Sequence, residues 1–413
     1  MDTVGAVGAS RHEAVQAALR AVQVLQPSAQ ATLAGRGERV DLAGAALING
    51  IASHTFDFDD THLKTIIHPA GPVCSAALAL AELTSASGRQ IIDTIVLGID
   101  VACRIGNMIY PNHYDRGWHI TGTTGGLGAA AACARLLGLD VDRTQMALGI
   151  AASEPVGLRE QFGTMTKPLH PGAAARVGLM AALLAREGFT ASPRAIEAPR
   201  GYAQVVSTKF DWSEITGELG QRFEISFNTY KPFACGIVIH PSIDACVQLR
   251  AKGVTPQNLE RIDLRVHSLV LELTGKKEPA DGLQGKFSVY HGCAAGLIFG
   301  QASEDEYADA IVTHPDVVAV RRKVVATVDH GIDEASVDAV ATLTDGRKVR
   351  VHIEHAIGSL QRPMSDADLE AKFRSMSNPI LGAAQTQSLL AACWRLGDAA
   401  NVHELARLAS TAT

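Results

Sequence analysis

Apolar positions recur at helical spacing through the first half of the chain. Residues 11–25 alternate apolar and polar side chains three and four apart, which predicts an amphipathic helix. Asp41 has the side chain of an N-cap and opens a helix predicted over 42–58. Further helices are predicted over 73–85, with Gly88 as its stop, and over 91–109, 125–138 and 143–152. Another is predicted over 171–187, closed by Gly188, after a proline-bounded loop that carries Lys167 and His170. No repeat of fixed period runs through this half. Near residue 260 the period changes from helical to two. Ile262–Leu273, Val324–Asp329 and Val337–Leu343 alternate and predict strands. Thr344-Asp345-Gly346-Arg347 predicts a hairpin turn into Val349–Glu354. Helical patterns intervene at 241–251, 286–299 and 304–321, and the helical pattern returns at 366–375, 383–395 and 401–409. The fold class that follows is mainly α. A large all-helical domain, 1–234, is rejoined by C-terminal helices from 363–413, with a smaller α+β domain inserted at 235–362.

One stretch breaks the apolar pattern sharply. Asn49-Gly-Ile-Ala-Ser-His54-Thr-Phe-Asp57-Phe-Asp59-Asp60-Thr61 starts as a buried helix of small residues. It then runs into His62-Leu-Lys64-Thr-Ile-Ile-His68-Pro69. A core helix tolerates such a density of charge only where the charges are paired or used. Asp57 and Asp60 are three apart, so on a helix they share one face. His68, at a proline-marked turn, would stand beside it. The stretch is read as half of an active site.

Composition narrows the function. The 413 residues are 47% hydrophobic and 19% charged, with 38 glycines and only 5% aromatics, a profile for closely packed helices. The net charge of −6 supplies neither a nucleic-acid surface nor a basic stripe for a membrane. No apolar run has the length of a membrane span. The seven cysteines are odd in number and form no CxxC pair, which suggests reduced, mostly buried thiols and a cytoplasmic location. The opening Asp2-Thr-Val-Gly-Ala-Val-Gly is already core-like, so a first helix is expected to be short or missing.

Four other polar stretches interrupt apolar segments. Gly117-Trp118-His119-Ile-Thr121-Gly-Thr-Thr-Gly-Gly puts a histidine before a glycine- and threonine-rich helix start, whose free amides suit an anion. No strand precedes it, so it is not a dinucleotide fingerprint. Phe162-Gly-Thr-Met-Thr-Lys167-Pro168-Leu-His170-Pro171 offers a Lys and a His three apart, as a carboxylate clamp or an acid/base. Tyr230-Lys231-Pro232 through His240-Pro241 falls at the domain boundary, where clefts form. Gly285-Lys286-Phe-Ser288-Val-Tyr290-His291 enters an apolar helix of the second domain. No HxxxH and no CxxC spacing for a metal is present; Asp57, Asp59 and Asp60 could bind Mg²⁺, though the run lacks the glycine and spacing of an EF-hand loop. There is also no Gly-x-Ser-x-Gly elbow.

Taken together, these motifs resemble the MmgE/PrpD family, which includes 2-methylcitrate dehydratase, cis-aconitate decarboxylase and iminodisuccinate epimerase. The matching pieces are Asn49-Gly through Asp57-Phe-Asp59-Asp60-Thr61, His68-Pro69, Gly117-Trp118-His119, Phe162 through Lys167-Pro168, Lys231 with His240-Pro241, and Lys286-Phe-Ser288. They stand in the family's order. The resemblance implies a helical domain with an α+β lid, a homodimer, a site in the cleft and no cofactor. It also implies catalytic roles for Asp57, His68, His119, Lys167 and Lys231. His170 and Thr121 are then expected to bind substrate, as is a side chain at Tyr290 or His291. Two local differences bear on substrate: one extra residue between Asp57 and His68 relative to the decarboxylases, and Ile298-Phe299-Gly300 where Leu-Asp-Gly is usual.

The residue types fit proton abstraction beside a carboxylate. A C–H there is a very weak acid, so its removal needs a positioned base and positive charge where the anion develops. The expected enzyme is a cofactor-independent lyase, a dehydratase or decarboxylase, acting on a small di- or tricarboxylate. An epimerase of an iminodicarboxylate is the alternative, and a non-catalytic carboxylate-binding homologue is the alternative of another class.

Overall fold

The structure, a computed structural model, describes residues 1–412, the side chain of Val4 excepted. Helices Leu42–Thr55, Ala70–Thr84, Gly88–Ile109, Ile120–Leu136, Val141–Ala151 and Thr166–Arg186 pack against one another around a core that includes Ile48, Ile51, Leu80, Ile105, Leu127 and Leu179. Asp41 caps the first of these, its Oδ1 accepting the Gly44 amide at 2.9 Å. Small residues set how closely the helices approach. A Cβ placed on Gly50 would lie 2.5 Å from Gly172 Cα, so the Leu42–Thr55 and Thr166–Arg186 helices touch backbone to backbone. That crossing brings the end of one helix and the start of the other, where the charged residues lie, to the same place.

A second core surrounds a four-stranded sheet, ordered Val324–Val328, Leu259–Val266, Val337–Leu343, Lys348–Ile353. The first two strands are parallel, with Ile262 opposite Val324. The other pairs are antiparallel, with Ile262 opposite Ala341 and Ala339 opposite Val351. Helices His240–Ala251 and Val289–Phe299 pack together beside the sheet and share its core. A third core joins Val7 of the N-terminal segment to Phe373, Leu389, Leu390 and Leu405 of the C-terminal helices. The molecule is therefore mostly helical with small sheets, and no helix among the described residues is long and apolar enough to cross a membrane.

Several predicted boundaries move for local reasons. The strand predicted to Leu273 stops at Val266, where His267 turns the chain and accepts the Leu269 amide as cap of the Ser268–Thr274 helix. Gly88 does not stop a helix; Ser87 starts the next one there with a reciprocal cap to Gln90. Lys167 and His170 lie inside the Thr166–Arg186 helix, not on a loop before it. Pro168 is tolerated in that first turn, where an amide has no helical acceptor to lose. The 42–58 helix ends at Thr55, and Asp57 adopts φ +50°. Asp57 and Asp60 therefore share no helical face, and the carboxylates of this turn point to different partners.

Candidate active site

The turn after Thr55 is the centre of the site. Asp57 is buried and receives two ammonium groups. Lys231 Nζ donates to its Oδ1 at 2.6 Å and to its backbone carbonyl at 2.9 Å. Lys167 Nζ lies 2.9 Å from Oδ2. Lys231 is placed by a two-residue ribbon in which Thr61 and His62 pair with Thr229 and Asn228. Lys167 is placed by the helix crossing described above. Two more lysines hold the same turn. Lys286 Nζ donates to Phe56 O at 2.7 Å and Ala234 O at 2.8 Å, and Lys372 Nζ to Phe58 O at 2.6 Å. Asp tolerates the left-handed conformation better than most residues, and four cations around three consecutive residues keep it there.

The next carboxylates serve other groups. Asp59 accepts from His54 Nδ1 at 2.8 Å, and its other oxygen lies 3.6 Å from His68 Nδ1. Asp60 Oδ2 accepts from Ala70 N at 3.3 Å and from the Asn228 amide. The Asp60 backbone carbonyl lies 2.7 Å from His68 Nδ1. A carbonyl only accepts, so Nδ1 of His68 carries the hydrogen. In the neutral ring Nε2 then holds the lone pair. The His68 amide donates to Thr121 Oγ1 at 3.0 Å, which assigns Thr121 to holding the His68 turn.

His119 stands at the N-cap position of the Ile120–Leu136 helix without a side-chain cap bond, and its amide donates to Gly157 O at 3.0 Å. Its Nδ1 lies 2.8 Å from His170 Nδ1. Its ring meets Phe162 edge-on at 5.0 Å, and Phe162 stacks at 5.7 Å on Phe287 of the Lys286 segment. Lys167 Nζ stands 5.3 and 5.2 Å from these two rings. His54 joins the group, 4.8 Å from the ring of His68 and 5.7 Å from that of His119. Nε2 of His68 and of His119 have no hydrogen bond and are not among the sealed, unpartnered atoms of the interior, so both reach open space.

Burial and charge set the protonation states. Burial alone would raise Asp57, but Lys167 and Lys231 outweigh it and hold the carboxyl well below the usual range. Asp59 is likewise held low against burial, by His54 and His68. Asp60 goes the other way, pushed well up by burial, Asp59 and Asp2. Burial lowers His68 to about 3 and His170 to about 4, and with Lys167 it lowers His119 well below the ordinary imidazole range. Lys167 is lowered chiefly by burial. Burial would lower Lys231 too, but Asp57 and Asp59 together outweigh it and raise that ammonium. The site therefore holds neutral imidazoles beside ammonium–carboxylate pairs.

Asp57, His68, His119, Lys167 and Lys231, read from the sequence as one group, stand together, with His170 bonded to His119. Tyr290 lies in the second core, and His291 Nε2 donates to Glu306 O at 3.0 Å beside Tyr307. Among the described residues no hydrogen bond or ion pair joins either to the Asp57 group. Sequence reasoning passed over His54 and Asp59 as a pair, Phe162 and Phe287 as a wall, and Lys286 and Lys372 as braces. The first four stood in stretches already singled out, as did Lys286. Lys372 sits in an ordinary amphipathic helix and carries no signal. His54, Asp57, Asp59 and His68 bring ligand atoms within 4.8 Å of one another, a donor set chemically able to meet a divalent ion. Two of the four are engaged otherwise: Asp57 by two ammonium groups and His68 Nδ1 by a carbonyl.

Two family models match the chain. The family model of the MmgE/PrpD N-terminal domain matches residues 1–215, and that of the MmgE/PrpD C-terminal domain matches residues 233–396. The chain belongs to the MmgE/PrpD family. Its relatives include a cis-aconitate decarboxylase-like protein of Aspergillus oryzae, 26% identical over 98% of this chain and 90% of its own length. A cis-aconitate decarboxylase of Mus musculus is 26% identical over 94% of this chain and 82% of its own. A 2-methylcitrate dehydratase of Salmonella typhimurium is 24% identical over 82% and 77%. The two family matches divide the chain between them at the segment that carries Lys231, and the Asp57 group draws its members from both sides of it.

Proposed function

We propose that this chain is an MmgE/PrpD-type lyase that removes or returns a proton beside a carboxylate of a small di- or tricarboxylate, with no cofactor. The observation that carries the reading is a pair of neutral imidazoles, His68 and His119, with free Nε2 atoms beside two buried ammonium groups. Lys167 and Lys231 would hold substrate carboxylates and the negative charge that develops on the carbon side. Asp57 fixes both ammonium groups and sets their spacing. Asp59 orients His54, and the Asp60 carbonyl orients His68. Asp57 and Asp59 balance Lys167 and Lys231 in charge, so an acid that brings two or more carboxylates tips the balance negative. That change lifts the imidazoles from their low values toward neutral pH, because a nearby carboxylate favours the imidazolium. His68 and His119 then trade the proton, one taking it from carbon and the other delivering one to carbon or to a leaving hydroxyl.

The relatives' printed names supply the first substrates to try, cis-aconitate and 2-methylcitrate. The test is proton–deuterium exchange and product analysis by NMR in D₂O over a panel of di- and tricarboxylates. Loss of CO₂ or of water from one of them is expected. His119→Ala should abolish it while leaving the circular dichroism unchanged. Saturable binding with neither exchange nor elimination would overturn the reading in favour of a carboxylate-binding protein. The same proposal takes the 235–362 segment as a lid, supported by Lys286 and Phe287 reaching the Asp57 turn and the Phe162 ring. It takes the enzyme as a cytoplasmic homodimer, supported by family resemblance and by cysteines that are all free and mostly buried.

A further inference from the structure

The contact between His119 and His170 constrains both rings. At 2.8 Å, two Nδ1 atoms cannot both carry hydrogen, and two facing lone pairs would leave both nitrogens unpaired in a buried place. One hydrogen therefore sits between them. The surroundings are built for this contact. Gly157 has φ +106°, and a Cβ there would stand 2.9 Å from His170 Cγ, 3.0 Å from His170 Nδ1 and 3.2 Å from His119 Cβ. The carbonyl of the same glycine holds the His119 amide. His170 is on the second turn of the Thr166–Arg186 helix, one residue beyond the lysine's own turn, so the helix that delivers Lys167 also delivers His170. Its Nε2 has no hydrogen-bond partner and is not sealed in.

We propose that His119 and His170 work as one proton carrier, in which His119 meets the substrate and His170, a positioning residue, holds the extra proton. This deepens the lyase reading and rests on it. In the receiving state His119 carries hydrogen on Nδ1, donates it to His170 Nδ1, and presents the Nε2 lone pair. His170 then carries its hydrogen on Nε2. When the substrate C–H bond breaks, its electron pair stays on the carbon and spreads into the neighbouring carboxylate. The proton goes to His119 Nε2. The Nδ1 hydrogen of His119 passes to His170 Nδ1. His119 ends neutral and His170 ends as the imidazolium. Delivery of a proton to substrate or to a leaving hydroxyl runs the same two transfers backwards. The direction makes electrostatic sense, because burial and the Lys167 ammonium hold His119 well below the ordinary imidazole range, whereas His170 is lowered to about 4.

The pair is tested first without substrate. In ¹⁵N-histidine-labelled protein, NMR should show one of the two Nδ1 atoms protonated and the other not, with the two rings titrating together. Independent titrations, or both Nδ1 atoms in the same state, would overturn the proposal whatever the enzyme turns over. The second arm uses His170→Asn, which can still meet His119 at the Nδ1 position but cannot carry a proton charge, and His170→Gln as a check on folding. With the carboxylate that the D₂O screen identifies, His170→Asn should lower kcat about 100-fold, the low end of general acid–base effects. KM should stay within about two-fold, and the limb of the pH profile that belongs to the pair should move. Unchanged kcat and an unchanged profile would reduce His170 to packing. Failure of every acid in the screen with the wild-type chain would count against the lyase reading alone, since the NMR arm judges the pair separately.

Discussion

Asp57 is the residue whose loss should be felt most. It is buried, takes the left-handed backbone conformation, and is the shared counterion of two buried lysines. Asp57→Asn keeps the size and the tolerance for positive φ, and removes only the charge. Two ammonium groups would then be left without their counterion in the interior, which costs about 3–5 kcal/mol in comparable buried pairs. Urea unfolding should report a loss of that size together with loss of turnover; an unchanged midpoint would show that other groups neutralise the lysines. The chemistry at this scale was legible in the chain. Acids, imidazoles and ammonium groups packed among apolar residues announce a site, because burial of so many ionisable groups is otherwise too costly. Which acid serves which base was not legible. Spacing along a helix suggested Asp57 with Asp60, whereas the backbone turns at Phe56 and gives Asp57 to the lysines and Asp59 to the histidines.

At the scale of elements, the site is an assembly of ends. It joins the end of the Leu42–Thr55 helix, the starts of the Ile120–Leu136 and Thr166–Arg186 helices, and the ribbon that leads to Lys231. Lys286 ties this to the segment before the Val289–Phe299 helix through Phe56 O, Ala234 O and Glu304. Hydrogen bonds to a charged group contribute about 1.5–3 kcal/mol each, so Lys286→Met should loosen the seam locally. Amide hydrogen exchange over residues 56–66 should accelerate by at least about ten-fold, the factor for about 1.4 kcal/mol, with exchange in the Val337–Leu343 strand unchanged. Equal exchange in the 56–66 turn would mean that Lys231 and Lys372 suffice to hold it. The elements themselves followed from periodicity. The departures came at element ends: His267 ended a strand early by capping the next helix, and the helix predicted from residue 171 starts at Thr166, across two prolines.

At the scale of the whole molecule, many imidazoles are buried and neutral. His68 and His240 are lowered to about 3, and His113, His170 and His291 to about 4, in each case mainly by burial. Each has a lower value in the folded chain than the ordinary 6.5 it regains on unfolding. The stability they contribute is therefore complete above pH 6.5 and is lost as pH falls from there toward 4 and 3. Each contributes at most about 1.4 kcal/mol per pH unit in that window. Calorimetry should show Tm falling between pH 6.5 and 5, well above the pH at which ordinary carboxylates take up protons. A Tm that stays level to pH 5 would mean that these rings accept protons inside the folded protein.

The chain by itself determined its helices and strands, the change of texture near residue 260, and the set of side chains able to do chemistry. These are local properties: a period of apolar positions, a cap, a residue's ionisable group. Tertiary structure decided the pairings. Lys231 reaches Asp57 across 174 residues, Lys286 reaches Phe56 across 230, and Lys372 reaches Phe58 across 314. No local pattern encodes such partners, because they meet only after the helices have packed and burial has made each unpaired charge expensive. The same holds for the shared hydrogen of His119 and His170, which exists because a glycine on a third segment leaves room for two rings to touch.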